Sequence, residues 1–166
     1  MHPNSRPPNS TACSTSAQTV ESWRDHTGDD FVFAWKASRF ITHWKRLSDT
    51  STDSVKLLEQ RLSLLDGKTG PVLFQLPPTM TADHERLARF LKLLRRTRRY
   101  TVEFRHPSWY TPQTMRLLAD RMVDGFIVAT AGETPELRAL VEGGRTPVVL
   151  IDRLVDGLET DAVVID

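Results

Sequence analysis

A single cysteine, Cys13, is all the thiol chemistry this chain carries, which excludes an intrachain disulfide and any cysteine-built metal cage. Excess charge of one sign is equally scarce: 22 Lys and Arg against 21 Asp and Glu leave a formal net charge of +1. No bulk field therefore draws the chain to nucleic acid or to an anionic membrane, and any such affinity has to come from a local patch. The N-terminus has no basic segment followed by an apolar core, and no apolar run approaches the roughly 20 residues of a membrane span. A cytoplasmic location and no membrane partner are the default expectations. No HxH, HExxH or carboxylate cluster stands at ligand spacing, so no metal site is expected. Internal repeats are missing as well.

What remains is 166 residues of ordinary globular composition, 39% hydrophobic and 26% charged. That is enough chain for one core but short of the about 250 residues typical of a closed eight-stranded α/β barrel. Residues 1–16, rich in Ser, Thr, Pro and Asn, lack apolar periodicity and are expected to be disordered. A short helix carrying Val20 and Trp23 follows, then a strand over Phe31–Ala37 and a polar loop over Arg39–Thr52. A helix is predicted over Ser54–Leu65 with Asp53 as its cap, a strand over Pro71–Leu76 and a helix over Ala82–Leu94. The same rhythm continues with a strand over Tyr100–His106 and a helix over Pro112–Met122. After these come strand 126–129, helix 135–142 and strands 147–151 and 162–165. Strict alternation of strand and helix means βα units and parallel pairing.

The chemistry gathers where strands end. Side chains along a strand alternate faces, so Val32, Ala34 and Lys36 oppose Phe33 and Trp35; Leu73 and Gln75 oppose Val72, Phe74 and Leu76; Thr101, Glu103 and Arg105 oppose Val102 and Phe104. If the smaller, more polar face points inward each time, Lys36, Gln75, Glu103 and Arg105 converge at the C-terminal ends of neighbouring parallel strands, where α/β folds place their sites. Arg39, His43 and His106 lie on the loops above. Glu103 flanked by cations stays ionised, and a neutral imidazole serves as a general base near neutral pH. The competing reading makes the same side chains a paired ionic layer with no chemistry. The run Arg95-Arg96-Thr97-Arg98-Arg99 follows a helix and falls on the face opposite the site, where cations suit the helix dipole, so nucleic acid is not the favoured partner.

The stretches DDFVFAWKASRFITHWKRL, GPVLFQLPP and VEFRHPSWY resemble, in that order, the YecE-like family, domain of unknown function family 72, over about residues 17–122. The resemblance implies a TIM-type barrel of unsettled activity, similar to metal-dependent barrels that act on nucleic acids. It also implies a site rim made of Lys36, Arg39, His43, Gln75, Glu103, Arg105, His106 and Trp109. Members begin with two strands not legible here, and the text after Thr11 reads as if frame-shifted, so a truncated or frame-disrupted gene is expected. Residues 123–166, with VDGFIVAT, TPVVLIDR and DAVVID, resemble instead a fragment of the effector-binding domain of lactose-repressor-type regulators, with Asp152 and Arg153 at a strand end.

These readings combine into an α/β chain: a partial TIM-type (β/α) barrel with parallel strands, incomplete at its N-terminus, plus an additional β/α segment. The expected function is a polar site, hydrolase-like on a phosphorylated or nucleic-acid substrate, with compromised activity. Glu103, His106 and Lys36 would be catalytic, and Arg105, Gln75, Arg39, His43 and Trp109 would bind substrate. The rival is a non-catalytic ligand-binding or remnant fusion protein. A small or phosphate-containing ligand is the expected partner, and exposed sheet edges allow self-association.

Overall fold

Parallel strands cannot be joined by tight turns, and the computed structural model, which describes residues 15–120, 126–129, 134–143, 148–151 and 154–164, supplies helical crossovers between most of them. The chain divides into two compact units, Met1–Met80 with Glu85–Arg105 and Thr81–His84 with His106–Asp166. The first holds helices α1 (Ala17–Asp25), α2 (Thr52–Ser63) and nearly all of α3 (His84–Leu93), with strands β1 (Phe33–Lys36), β2 (Thr69–Gln75) and β3 (Tyr100–Glu103). The second holds α4 (Pro112–Ala119), β4 (Phe126–Ala129), α5 (Pro135–Glu142), β5 (Val148–Ile151) and β6 (Asp161–Val163). The α/β class and the parallel pairing are as expected. Among the described residues the strands pair as two three-stranded sheets, β1-β2-β3 and β4-β5-β6.

Helix starts follow capping chemistry. Ser16 accepts from the Thr19 amide at 3.1 Å to open α1; Cys13 lies outside the described residues. Thr111 and Thr134 cap α4 and α5 in the same way, each followed by a proline at the first helical position. The cap expected at Asp53 is not used. A 3₁₀ turn, Asp49–Ser51, runs directly into α2, leaving Asp53 in its first turn where a carboxylate suits the positive end of the dipole. The expected loop over Arg39–Thr52 is also more ordered than polarity suggested. It contains a π-helical turn, Phe40–Trp44, anchored by buried Ile41 and Thr42.

Strand parity sets the first unit's layers. Trp35 pairs in register with Val72 and Phe74 with Val102; on this face Trp35, Val72 and Phe74 are buried and Val102 is half-buried. The Phe74 ring meets Phe90 of α3 edge-on at 5.2 Å, and Trp23 of α1 lies 6.1 Å from Trp35. The other face carries Lys36, Leu73, Gln75, Thr101 and Glu103, all at least partly exposed. Pro71, which has no N–H to give a ladder, sits where the β1–β2 register slips. Gly70 beside it is required by space: a Cβ there would meet Val32 Cγ1 at 2.6 Å and the Phe33 carbonyl oxygen at 2.9 Å. In the second unit Leu137, Val148, Leu150 and Val155 form the core, with Val128, Val141, Leu158 and Ala162 against them.

The arginine run belongs to this packing. Glu59 of α2 is only 5% exposed and accepts from Arg98 Nε at 2.8 Å and from the Tyr100 hydroxyl at 2.7 Å, with Arg95 Nε at 3.5 Å. Two of the four arginines are thus spent tying α2 to the start of β3, which is a more specific role than complementing a helix dipole. Burial and the Glu59 carboxylate together push the Tyr100 phenol far above its ordinary range. Glu59→Ala strands a guanidinium and a phenol in a poorly hydrated layer and should cost about 3–5 kcal/mol. Arg89→Ala, which removes exposed pairs to Asp49 and Glu85, should cost about 0.5 kcal/mol or less. Urea unfolding of the two variants measures the contrast, and equal losses would contradict it.

Candidate functional site

Each strand of the first sheet contributes one polar side chain to the open face near its C-terminal end. Gln75 and Glu103 are register partners on β2 and β3, while Lys36 pairs with Leu73 and reaches one step further along. Lys36 Nζ donates to Gln75 Oε1 at 2.8 Å, and Gln75 Nε2 donates to Glu103 Oε2 at 2.7 Å. Arg105 Nε stands 3.7 Å from Glu103 Oε1. Lys36, Gln75, Glu103 and Arg105 therefore do come together: the first three form a hydrogen-bonded line across three strands, and Arg105, just past the end of β3, meets Glu103 as an ion pair. The Gln75 amide uses its acceptor on the cation and its donor on the anion, which fixes its orientation and separates the two charges. The Glu103 and Arg105 side chains remain 38% and 46% exposed, so this is no buried ionic layer.

His43 and Arg39 rise from the turn that follows β1. Desolvation lowers the His43 pKa most, and the positive charges of Arg39, Lys36 and Arg105 lower it further. Three cations thus act on one imidazole in the same sense. Glu103 is the carboxylate of the set, and it answers only Arg105 directly. The site thus has surplus positive charge and a histidine held neutral. Thr42, overlooked in the sequence because a threonine in a polar loop carries no signal, orients that ring: its Oγ1 lies 2.8 Å from His43 Nδ1 and 3.4 Å from the Ser38 carbonyl oxygen. Satisfying both bonds requires His43 Nδ1–H to donate to Thr42 and the hydroxyl to donate to Ser38, which leaves the lone pair on Nε2.

His106 and Trp109 belong to the second unit and are described there by themselves. His106 does not continue β3. Its Nδ1 accepts from the Ser108 amide at 3.2 Å and lies 2.8 Å from Ser108 Oγ, capping a 3₁₀ turn, Pro107–Trp109. Ser108 Oγ in turn accepts from the Ala82 amide at 2.8 Å. Trp109, expected on the site rim, is fully buried and packs edge-on to His84 at 5.9 Å, so it offers a ligand no surface. Asp152 and Arg153 lie outside the described residues. Among the described residues no three His, Cys, Asp or Glu side chains gather where they could hold a metal ion, and no helix is long and apolar enough to cross a membrane.

Comparison with known proteins adds the family context. A family model described as protein of unknown function DUF72 matches residues 13–154. Two solved structures are similar in fold. A DUF72 family protein from Thermotoga maritima MSB8 has a TM-score of 0.58 and 20% identity, over 90% of this chain and 58% of that one. A DUF72 family protein from Enterococcus faecalis V583 has a TM-score of 0.53 and 14% identity, over 87% of this chain and 56% of that one. The chain thus spans less than two thirds of either structure. No curated protein matches it. The family match runs past Met122 across most of the segment that resembles a lactose-repressor-type domain, and nothing found supports that second resemblance.

The electrostatics yield a measurable expectation. His43 should titrate below the ordinary histidine value of about 6.5. Because its folded pKa is depressed, its contribution to stability is intact above that ordinary value and declines as pH falls from there through the depressed folded pKa. Lys36→Met and Arg105→Met should each move the folded pKa back up. NMR titration of the imidazole tests this, and a His43 value at or above that of an unfolded peptide would refute the arrangement of charges.

Proposed function

The chain belongs to the DUF72 family, and on that premise we propose that its first unit binds a small phosphate-bearing ligand at the C-terminal ends of β1, β2 and β3. One observation carries the reading: Lys36, Gln75, Glu103 and Arg105 lie together on the open face, and among the described residues Lys36 is held by the neutral Gln75 rather than by a carboxylate, while Arg105 faces Glu103. Uncompensated cations held by neighbours on rigid strands are what an anion-binding site requires, and charge-assisted hydrogen bonds to phosphate oxygens supply the affinity. Lys36 is pre-aimed by Gln75, so less side-chain freedom is lost when a ligand arrives.

The neutral His43 favours hydrolysis over passive binding. Nε2, with its lone pair free, takes a proton from a water molecule; the water oxygen forms a bond to phosphorus, and the ester P–O bond breaks. The leaving alcohol takes a proton from solvent or from the imidazolium. Lys36, Arg39 and Arg105 stabilise charge on the phosphoryl oxygens, while Glu103, itself held by Gln75, fixes Arg105 in place. Inorganic phosphate should protect the protein thermally and broaden the His43 resonance. Lys36→Met should weaken that binding by roughly ten- to hundredfold, the worth of one hydrogen bond to a charged group. Hydrolysis of p-nitrophenyl phosphate should fall with Glu103→Gln while the fold persists. No phosphate effect at millimolar concentration, with Lys36→Met more stable than the parent, would instead mark a purely structural charge network.

A further inference from the structure

The π-helical turn that carries His43 also displays two aromatic rings. Trp44 is 76% exposed and Phe40 38% exposed, four residues apart on the same turn, with ring centroids 5.6 Å apart and nearly edge-on. Of the four tryptophans, Trp35 and Trp109 are buried and Trp23 is half-buried. The exposure is not slackness in the chain. Buried Ile41 and Thr42 anchor the turn from within, and the Lys45 amide closes it on the Phe40 carbonyl at 2.9 Å. Arg46 and Leu47 leave it through left-handed backbone conformations, φ 48° and 58°, which side chains other than glycine seldom adopt. Leu47 is buried, its amide bonded to the Ile41 carbonyl at 3.1 Å, and Arg46 is bonded to the Thr79 carbonyl at 2.8 Å. Lys45 lies over the Phe40 ring at 4.7 Å, with Nζ also 3.2 Å from Ser54 Oγ.

A rigid, strained turn that holds an indole out to water is built to present it. Directly before the turn stands Arg39, and the neighbour of Trp44 is His43, which feels Arg39, Lys36 and Arg105. Aromatic rings on the turn that follows Arg39 and carries His43 match a ligand with a planar ring joined to a phosphate. We infer that the site takes a nucleotide, its base stacking on Trp44 against Phe40 and its phosphate meeting Lys36, Arg39 and Arg105. This rests on the phosphate reading above and narrows it to a substrate class. The same chemistry is offered by a free mononucleotide and by the end of a single strand.

The test uses the intact chain and its own fluorophore. AMP, ribose 5-phosphate and inorganic phosphate are titrated against the parent, Trp44→Ala and Lys36→Met, following tryptophan emission and, independently, calorimetric binding. AMP should bind about tenfold or more tighter than ribose 5-phosphate and quench the emission. Trp44→Ala should erase that advantage and the quenching while leaving phosphate binding unchanged, whereas Lys36→Met should weaken all three ligands. Equal affinity of AMP and ribose 5-phosphate, or AMP binding unaltered by Trp44→Ala, overturns the stacking inference and leaves the phosphate site standing. Absence of binding by all three ligands defeats both. Oligothymidylates of increasing length separate the sources: affinity that rises with length and falls steeply with salt identifies a single strand, and affinity no better than that of TMP identifies the mononucleotide.

Discussion

The two-residue period of a strand, applied to three parallel strands in fixed register, governs everything the first unit can do. Once Trp35, Val72 and Phe74 are buried beneath the helices, the intervening residues have no choice of side, and Lys36, Leu73, Gln75 and Glu103 must share the opposite face. A one-residue slip would put a lysine and a glutamate under α3 and an indole in water. The apolar burial that stabilises the sheet is therefore also what aims the polar line. Gly70 and Pro71 absorb the one irregularity in the β1–β2 ladder at its N-terminal end, so the register is regular from Trp35 onward, where the chemistry lies.

On that face, charge is distributed by hydrogen bonds rather than by burial. Gln75 is neutral, yet it holds both Lys36 and Glu103 and so keeps them in line without letting them neutralise each other. Had Gln75 been apolar, the lysine and carboxylate would have been free to collapse together. The Glu59 network at the other end of the same strands works by the opposite logic, because there two arginines converge on a carboxylate that water scarcely reaches. One cluster is satisfied and fixes α2 to β3. The other is left partly exposed on the open face, so two charged clusters of different character stand at opposite ends of the same strands.

Alternation of apolar and polar residues made the strands, their parallel pairing and the convergence of Lys36, Gln75, Glu103 and Arg105 legible in the sequence. What escaped was set by interactions with no sequence period. Polarity marked Arg39–Thr52 as a loop, but Ile41 and Leu47 bury themselves and wind it into a π turn, a conformation no residue propensity signals. His106 and Trp109 followed Glu103 closely enough to be read with it, yet the strand ends at Glu103 and Pro107 opens a 3₁₀ turn. The histidine then caps a 3₁₀ turn and the indole goes into the core.

The π turn joins the polar face of the sheet to the exposed aromatic rings. An extended loop after β1 could have held His43 near Lys36 and Arg105, but at the cost of fixing several rotatable residues each time a ligand bound. Two left-handed residues, a buried leucine and the Arg46 bond to the Thr79 carbonyl meet that cost during folding instead. The ring that results is oriented by Thr42 and surrounded by charge before any ligand arrives. Backbone strain of order 1–3 kcal/mol per residue persists only where surrounding contacts over-determine it, and here those contacts lie on the inner side of the turn while the aromatic rings lie on the outer. Strain, neutral imidazole and exposed indole thus have one common cause: a short segment whose inside is anchored so that its outside can be presented.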